Sequence, residues 1–306
     1  MTIKFNRQYR LTIQSVSDPS KAIVIENNTL EFEVRRDNSS SVNHATFKIE
    51  NLAPSTFKQL VKDRYTFIDY QGSQSNDRRR KVVFEAGYSG LNNEGFYSIV
   101  FVGDLWEGKT YKQGTEIITE LYAMDGGYAV SNSLINISLQ GGTSLQNAIE
   151  SVVKEMSKDG VSLNENNSQL TGSYKRGIAF NGSGYAFLQK YFSSERNVFI
   201  DKNKINIEKI NEGRVGYVPK ITSETGLLGT PMRSGASLTL EMVFEPRIDV
   251  SNIVEIESSV ANWVNGQYKV TGISHQGVIS QTKGGNLTTT LECFIGAFEL
   301  NPLIKK

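Results

Sequence analysis

The sequence predicts a mainly β protein in which a small α+β domain separates two β domains. Short segments of alternating apolar and polar residues dominate both ends of the 306-residue chain. The strongest amphipathic helix pattern lies near the middle. A hairpin-like pattern occurs twice, in residues 97–126 and 268–296. We expect domains at residues 1–140, 141–215 and 216–306.

The first β domain opens with strands of alternating polarity. In the segment LEFEV, Leu30, Phe32 and Val34 alternate with two glutamates, so one face should be buried and the other solvated. The segment HATFKIE, which starts at His44, has the same alternation. Pro54 then opens a segment with apolar residues at helical spacing, which predicts one short helix.

The middle domain changes from a period of two to helical spacing. An apolar stripe between Leu145 and Met156 follows a Thr-Ser capping signal and ends before Gly160. A second helix is expected in GYAFLQKYFSS, from Gly184. The segment NVFIDKNKINIEKI then predicts two short strands around an Asp-Lys-Asn-Lys turn.

Composition and charge argue against several classes of function. A net charge of +1 gives no electrostatic basis for recognition of nucleic acid or an acidic membrane. No stretch approaches the length and apolar character of a membrane span, so we expect no membrane insertion. The basic run at residues 78–81 is typical of a solvated loop or strand edge. The first residues lack the apolar core of a signal peptide, which predicts synthesis in a reducing cytoplasm. Cys293, the single cysteine, is expected to be a buried, unreactive thiol.

The sequence contains no recognisable motif for catalysis, a metal or a cofactor. The two histidines lie far apart in the chain, and neither has a neighbouring metal-ligating residue. Asp104 with Glu107, or Glu241 with Glu245, could form a glycosidase pair. On a strand, Glu241 and Glu245 share one face, which is also typical of a solvated strand face. We therefore expect no enzymatic activity, no metal and no cofactor.

The order of several segments resembles the baseplate hub proteins of contractile phage tails. These segments are TSETGLLGTP from Thr222, LEMVFEP from Leu240, NGQYKVTGISHQG from Asn265 and NLTTTLEC from Asn286. The passage that begins FVGDLWEGKTYKQ is also similar, so the resemblance covers roughly residues 101–294.

The resemblance implies a structural protein of the virion, located in the tail baseplate, with two related tube-type β-barrel domains. Such hubs are trimers that join the sixfold tail tube to the threefold central spike in a phage tail or a related contractile injection system. The implied partners are two further copies of the chain, the tail tube protein, the central spike protein, the tape-measure protein and baseplate wedge proteins. Two alternatives stay open: a glycan-binding tail-fibre module, using exposed Trp106, Tyr111 and Trp263, and a tail-associated peptidoglycan hydrolase.

The segment GLLGTP can be interpreted in two ways. Two glycines flank two leucines, and the proline prevents a helix from continuing. The simpler interpretation is a loop whose leucines fill a domain junction. The alternative is a contact with another subunit or with the spike. The candidate contacts are Gly226, Leu227, Leu228, Gly229, Pro231 and His275.

The two hairpin patterns suggest an internal duplication. Each opens with a tyrosine, Tyr97 or Tyr268, passes through a glycine-containing loop and returns through a Thr-rich strand. Three chains with two copies each would present six similar positions around a tube and three around a spike. We therefore expect the two hairpins to occupy topologically equivalent strands.

Overall fold

The computed structural model describes residues 4, 6–39, 42–62, 79–90, 95–165, 167, 170–215, 217–296 and 299–302. In these residues a first β part is followed by a mixed middle part and a last β part. The first part comprises β1 (Arg7–Ser15), β2 (Ala22–Ile25), β3 (Leu30–Asp37), β4 (His44–Glu50), α1 (Pro54–Lys62), β5 (Arg80–Tyr88), β6 (Phe96–Gln113) and β7 (Glu116–Met124).

The middle and last parts complete the chain. The middle part comprises α2 (Gly127–Asn132), β8 (Leu134–Leu139), α3 (Leu145–Met156), β9 (Ser162–Leu163), β10 (Ile178–Ser183), α4 (Gly184–Phe192), β11 (Arg196–Asp201) and β12 (Lys204–Lys209). The last part comprises β13 (Glu212–Val215), β14 (Lys220–Ile221), β15 (Leu227–Ser234), β16 (Ser237–Val243), β17 (Ile253–Ile256), β18 (Gly266–Ile279), β19 (Leu287–Phe294) and β20 (Glu299–Pro302).

Thirteen of the described strands form one sheet that passes through both β parts. Its main path is β15-β16-β19-β18-β3-β4-β7-β6-β5-β1-β2, and β17 and β14 extend from β18. The two β parts meet where β3 pairs with β18 in antiparallel fashion, from Leu30 opposite Ile279 to Asp37 opposite Gly272. The predicted mainly β fold class is confirmed. The described strand pairs do not close either part into a ring.

The middle part has its own apolar core. The predicted helices α3 and α4 both form, and the Ser144 hydroxyl caps α3 by accepting a hydrogen bond from the Asn147 backbone N–H. β11 and β12 are the predicted strands around the Asp-Lys-Asn-Lys turn. Ala129 and Ile135 also pack in this core, so we propose that the middle part starts near residue 127 rather than residue 141.

The two β parts repeat one pattern of strand pairing. In the first part the neighbouring strands are β3-β4-β7-β6-β5, and in the last part they are β15-β16-β19-β18-β17. Each set contains the same two hairpins in the same chain order. The expectation that the two hairpins of residues 97–126 and 268–296 occupy equivalent strands is confirmed by these pairings.

The matching bulges give the residue-by-residue equivalence. Trp106 is the single extra residue in the pairing of β6 with β7, and Thr271 is the single extra residue in the pairing of β18 with β19. Aligning the bulges makes Leu121 equivalent to Leu291, and both are fully buried. The predicted match between Tyr97 and Tyr268 is wrong in register, because Tyr268 lies three residues before its bulge and Tyr97 lies nine before.

A side-chain pair occupies the same place in both hairpins. Thr110 lies opposite Thr119, and their hydroxyl oxygens are 3.5 Å apart. Four positions after the other bulge, His275 lies opposite Thr289, with 2.8 Å between the ring Nδ1 and the hydroxyl oxygen. The agreement of strand order, bulge position and this side-chain pair supports a duplicated unit.

A glycine substitution tests the close packing of β5 against β6. A Cβ atom added at Gly87 would overlap the backbone oxygen of Phe96, which cannot move without disturbing the β5–β6 pairing. We expect Gly87→Ala to lower the free energy of unfolding by about 1–3 kcal/mol, measured by urea denaturation. Gly284→Ala is the control, because no atom outside Gly284 and its two chain neighbours lies within 4 Å of the added Cβ there. Equal stability of the two variants would contradict this packing.

Candidate functional site

The candidate glycosidase carboxylates do not form a free pair. Asp104 is buried and accepts a hydrogen bond from Arg79 at 3.0 Å. Glu245 is buried and accepts two bonds from Arg247, at 2.7 and 2.8 Å. Each predicted pair therefore has one member engaged in a buried ion pair, while the other, Glu107 or Glu241, is exposed.

Neither a metal-binding cluster nor a membrane-spanning helix is present among the described residues. In those parts of the chain, no group of three or more His, Cys, Asp or Glu side chains could hold a metal ion. No described helix has both the length and the apolar character needed to cross a membrane. Cys293 is fully buried as predicted, and burial raises the pKa of its thiol to about 12.

A buried ionic cluster joins the three parts of the chain; we call it the junction cluster. Its centre is Arg36 on β3, whose side chain is fully buried. The guanidinium donates to both carboxylate oxygens of Asp201 at 2.8 and 3.1 Å, and to Asp249 at 2.7 Å. It also donates to the Val100 carbonyl at 3.0 Å. One side chain of the first part therefore binds an acid from each of the other two.

The turn between β11 and β12 brings further groups to the junction cluster. Lys202 and Asn203 both have positive φ, 54° and 59°, as a tight type I′ hairpin requires. The Asp125 carboxylate accepts the backbone N–H groups of both residues, at 2.5 and 2.7 Å. The Lys202 ammonium donates to Asp249 at 2.6 Å. The end of β7 and the last part therefore both bind this turn.

The environment of the junction cluster changes the pKa values of its acids in opposite directions. Although burial opposes ionisation of Asp249, the positive charges of Arg36 and Lys202 outweigh it and hold the pKa of that carboxyl well below its usual range. Burial, together with the negative charge of Asp201, raises the pKa of Asp125. The cluster is a structural ion network whose members come from all three parts of the chain.

The junction cluster was not predicted from the sequence, although one signal for Arg36 was present. Leu30, Phe32 and Val34 point to the buried face of β3, and Arg36 continues that alternation. An arginine on a buried face requires anionic partners. The partners Asp201 and Asp249 lie more than 160 residues further along the chain, so nothing local indicates them.

His275 belongs to the interior rather than to a contact surface. Its side chain is fully buried, and its ring packs edge-on against Phe244 with 5.3 Å between ring centres. Nδ1 bonds Thr289, whereas Nε2 has no hydrogen-bond partner within the described structure. The prediction of His275 as a subunit or spike contact is therefore corrected, because in this conformation no other chain can reach the side chain.

The GLLGTP segment forms most of an edge strand rather than a loop. Leu227 is buried in the core of the last part and begins β15. Between Leu228 and Met232 the pairing with β16 is interrupted by a bulge that contains Gly229 and Pro231. Leu228 is 39% exposed and Met232 is 69% exposed. In the described structure β15 pairs with β16 only, so its other edge is open.

A second open edge lies on the first β part. Residues 96–104 of β6 pair with β5, but residues 107–113 pair with β7 alone among the described strands. Tyr111 on this segment is 37% exposed, and Ile117 at the start of β7 is 39% exposed. Tyr111, one of the surface aromatic residues named as glycan-site candidates, therefore lies on an unpaired strand edge.

Comparison with known proteins identifies the family. The sequence matches the family model described as baseplate hub gp41 over residues 10–288. The chain belongs to this baseplate hub family. No curated protein matches the sequence. The hub protein is accordingly a structural component of a phage tail baseplate, as the resemblance implied.

Solved structures with the same fold include two tail proteins and a type VI secretion component. The tail protein from Neisseria meningitidis MC58 has a TM-score of 0.58 at 11% identity, covering 94% of this chain and 96% of its own. The prophage MuSo2 43 kDa tail protein from Shewanella oneidensis has a TM-score of 0.60 at 8% identity, covering 95% and 99%. The Escherichia coli c3393 protein, a type VI secretion component similar to T4 tail proteins gp27 and gp5, has a TM-score of 0.55 at 9% identity, covering 90% and 76%.

The junction cluster predicts a strong effect of removing its central charge. Arg36→Ala would leave the buried Asp201 and the Asp249 carboxylate without their shared counter-charge. We expect the free energy of unfolding to fall by about 3–5 kcal/mol, measured by urea denaturation. In the control, Lys48→Ala removes an exposed ion pair with Glu31 and should change stability by less than about 1 kcal/mol. Similar losses in both variants would show that the cluster does not hold the parts together.

The buried imidazole predicts a pH dependence of stability. Burial, together with the charges of Arg36 and Lys202, lowers the pKa of His275 well below its usual value. Below about pH 6.5 the unfolded chain binds a proton that the folded chain does not, so stability falls as pH falls.

Between pH 7 and pH 5 this effect should amount to about 2 kcal/mol. We expect His275→Thr, which copies the equivalent Thr110, to lose this part of the pH dependence in urea titrations at several pH values. His44→Gln should keep it, since that variant retains the buried histidine. If the free energy of unfolding of His275→Thr depends on pH as steeply as that of the wild type, the buried imidazole is not the source of the pH dependence.

Proposed function

We propose that three copies of the hub protein form the adaptor between the sixfold tail tube and the threefold central spike. The repeated pairing pattern, β3-β4-β7-β6-β5 and β15-β16-β19-β18-β17, carries this proposal. Each chain then supplies two similar units, and three chains supply six positions to the tube while keeping threefold symmetry for the spike.

The junction cluster gives this adaptor a defined geometry. A sixfold-like ring requires the two units of each chain to keep one fixed relative orientation. The β3–β18 pairing joins the units directly, and Arg36 ties both of them to the turn at Asp201. The middle part would then act as a spacer at the side of the ring, held by the same cluster.

The open edges are the surfaces we assign to subunit contacts. Leu228 and Gly229 of the GLLGTP segment are exposed on β15, whereas Leu227 and Pro231 are buried. The tail tube protein, the central spike protein, the tape-measure protein and wedge proteins are the further partners we propose. The protein would be made in the host cytoplasm and incorporated into the virion there.

A reconstruction of assembled tail tips by electron cryo-microscopy tests this proposal. We expect three copies of the hub protein in one ring, with the two units of each chain related by a rotation of about 60° around the tube axis. A C-terminal tag should add three extra densities to the ring. Six copies, one copy, or units that do not alternate around the ring would contradict the adaptor role.

A further inference from the structure

We propose that neighbouring copies of the hub protein join by antiparallel pairing of β15 of one copy with residues 107–113 of β6 of the next. This inference rests on the proposed trimer and specifies its contact surface. It would extend the sheet of one chain into that of its neighbour and so link three chains into a closed ring of six units.

The template for this contact lies within a single chain. There, the first unit presents β3 to the second unit, and β3 pairs with residues 272–279 of β18. The strand that corresponds to β3 in the second unit is β15. β3 lies beside β4, and β15 lies beside β16 in the same way. The segment that corresponds to residues 272–279 is the part of the long strand after its bulge.

Each of the two strand segments that pair within the chain has a counterpart in the other unit. Neither counterpart has a second pairing strand within the described residues. β15 is the counterpart of β3, and residues 107–113 are the counterpart of residues 272–279, because each segment directly follows its bulge. Within the described residues, β15 pairs with β16 alone and residues 107–113 pair with β7 alone. Each chain has one open β15 edge and one open β6 edge. In a ring, the β15 edge of one chain can therefore pair with the β6 edge of the next.

The template also fixes the register. Glu33 lies opposite Gln276 in the single chain, and Glu31 lies opposite Val278. The pairings with the neighbouring strands make Met232 the counterpart of Glu33, since Met232 lies opposite Thr239 as Glu33 lies opposite Thr46. Transferring the register therefore places Met232 of one copy opposite Tyr111 of the next, and Leu228 opposite Gln113.

Exposed apolar side chains collect at these two edges. Met232 and Leu228 lie on β15, and Tyr111 lies on the β6 segment. Ile117, 39% exposed, is the counterpart of Leu287, which is buried in the core of the first unit by the contact within the chain. Pairing between copies would cover Ile117 in the same way, and this burial of apolar surface favours association.

The charges at the two edges are compatible with this register. Arg233 would lie opposite Thr110, and Ser234 would lie opposite Lys109, so no two like charges face each other directly. Lys109 already forms an ion pair with Glu120 on its own sheet. The bulge at Gly229 would face Lys112. At the corresponding place within the chain, Phe32 and Gly277 form a regular pair without a bulge.

Disulfide cross-linking in assembled tails tests the register. Tails are assembled with the double variant Met232→Cys and Tyr111→Cys, oxidised, and separated by non-reducing electrophoresis. Directly opposed residues in antiparallel strands satisfy the Cα separation of about 4.4–6.8 Å that a disulfide requires. We expect a covalent species of three chains, which reduction returns to single chains. The native Cys293 is fully buried and should not take part.

The control pairs Met232→Cys with Val260→Cys, because Val260 is 72% exposed and lies on neither edge. It should give no covalent trimer. A second variant, Ile117→Asp, should prevent incorporation of the folded chain into tails, whereas Val24→Asp, at a site 52% exposed on β2, should not. Thermal unfolding of each purified variant establishes that it is folded.

The possible outcomes separate this inference from the proposed function. Tails that contain three copies but give no cross-link between positions 232 and 111 would overturn the edge pairing and leave the trimer intact. Equal cross-linking in the control, or normal incorporation of Ile117→Asp, would also overturn it. A copy number other than three would overturn the adaptor role itself.

Discussion

The arrangement of the whole chain depends on the burial of one positive charge, that of Arg36. A guanidinium removed from water is stable only where anions and carbonyls take up its N–H groups. Here the partners come from different parts of the chain, Asp201 from the middle part and Asp249 from the last. No part can supply the complete set alone, so the charge is accommodated only when all three are docked in one arrangement.

This requirement also fixes the register of the sheet at the contact between the two β parts. Arg36 lies opposite Ile273 in the β3–β18 pair, and His275 lies opposite Val34 two positions away. A slip of one residue would turn Arg36 to the other face of the sheet, away from both acids. The neutral, buried His275 beside two cations is consistent with the same constraint, since a third positive charge there would be strongly disfavoured.

The sequence predicted what depends on local pattern and missed what depends on distant partners. Alternation identified β3 and β4, helical spacing identified α3, and the Asp-Lys-Asn-Lys turn marked the β11–β12 hairpin. The hairpin register was wrong because tyrosines were matched, whereas the bulges at Trp106 and Thr271 define the equivalence. The glycines and proline of GLLGTP indicated a loop, yet Gly229 and Pro231 lie in a bulge of an edge strand, which local propensity does not distinguish from a loop.

The differences between the two units agree with which edges are paired within the single chain. β3 is paired within its own chain as soon as the chain folds, so it carries an uninterrupted alternation of residues. β15 has an open edge in the single chain, and its glycine, proline and bulge make it a poor template for uncontrolled strand pairing. Likewise, the enclosed position carries His275, whereas its counterpart on the open β6 segment carries the small polar Thr110. A duplicated unit that meets its neighbour once within the chain and once between chains would be expected to diverge at these positions.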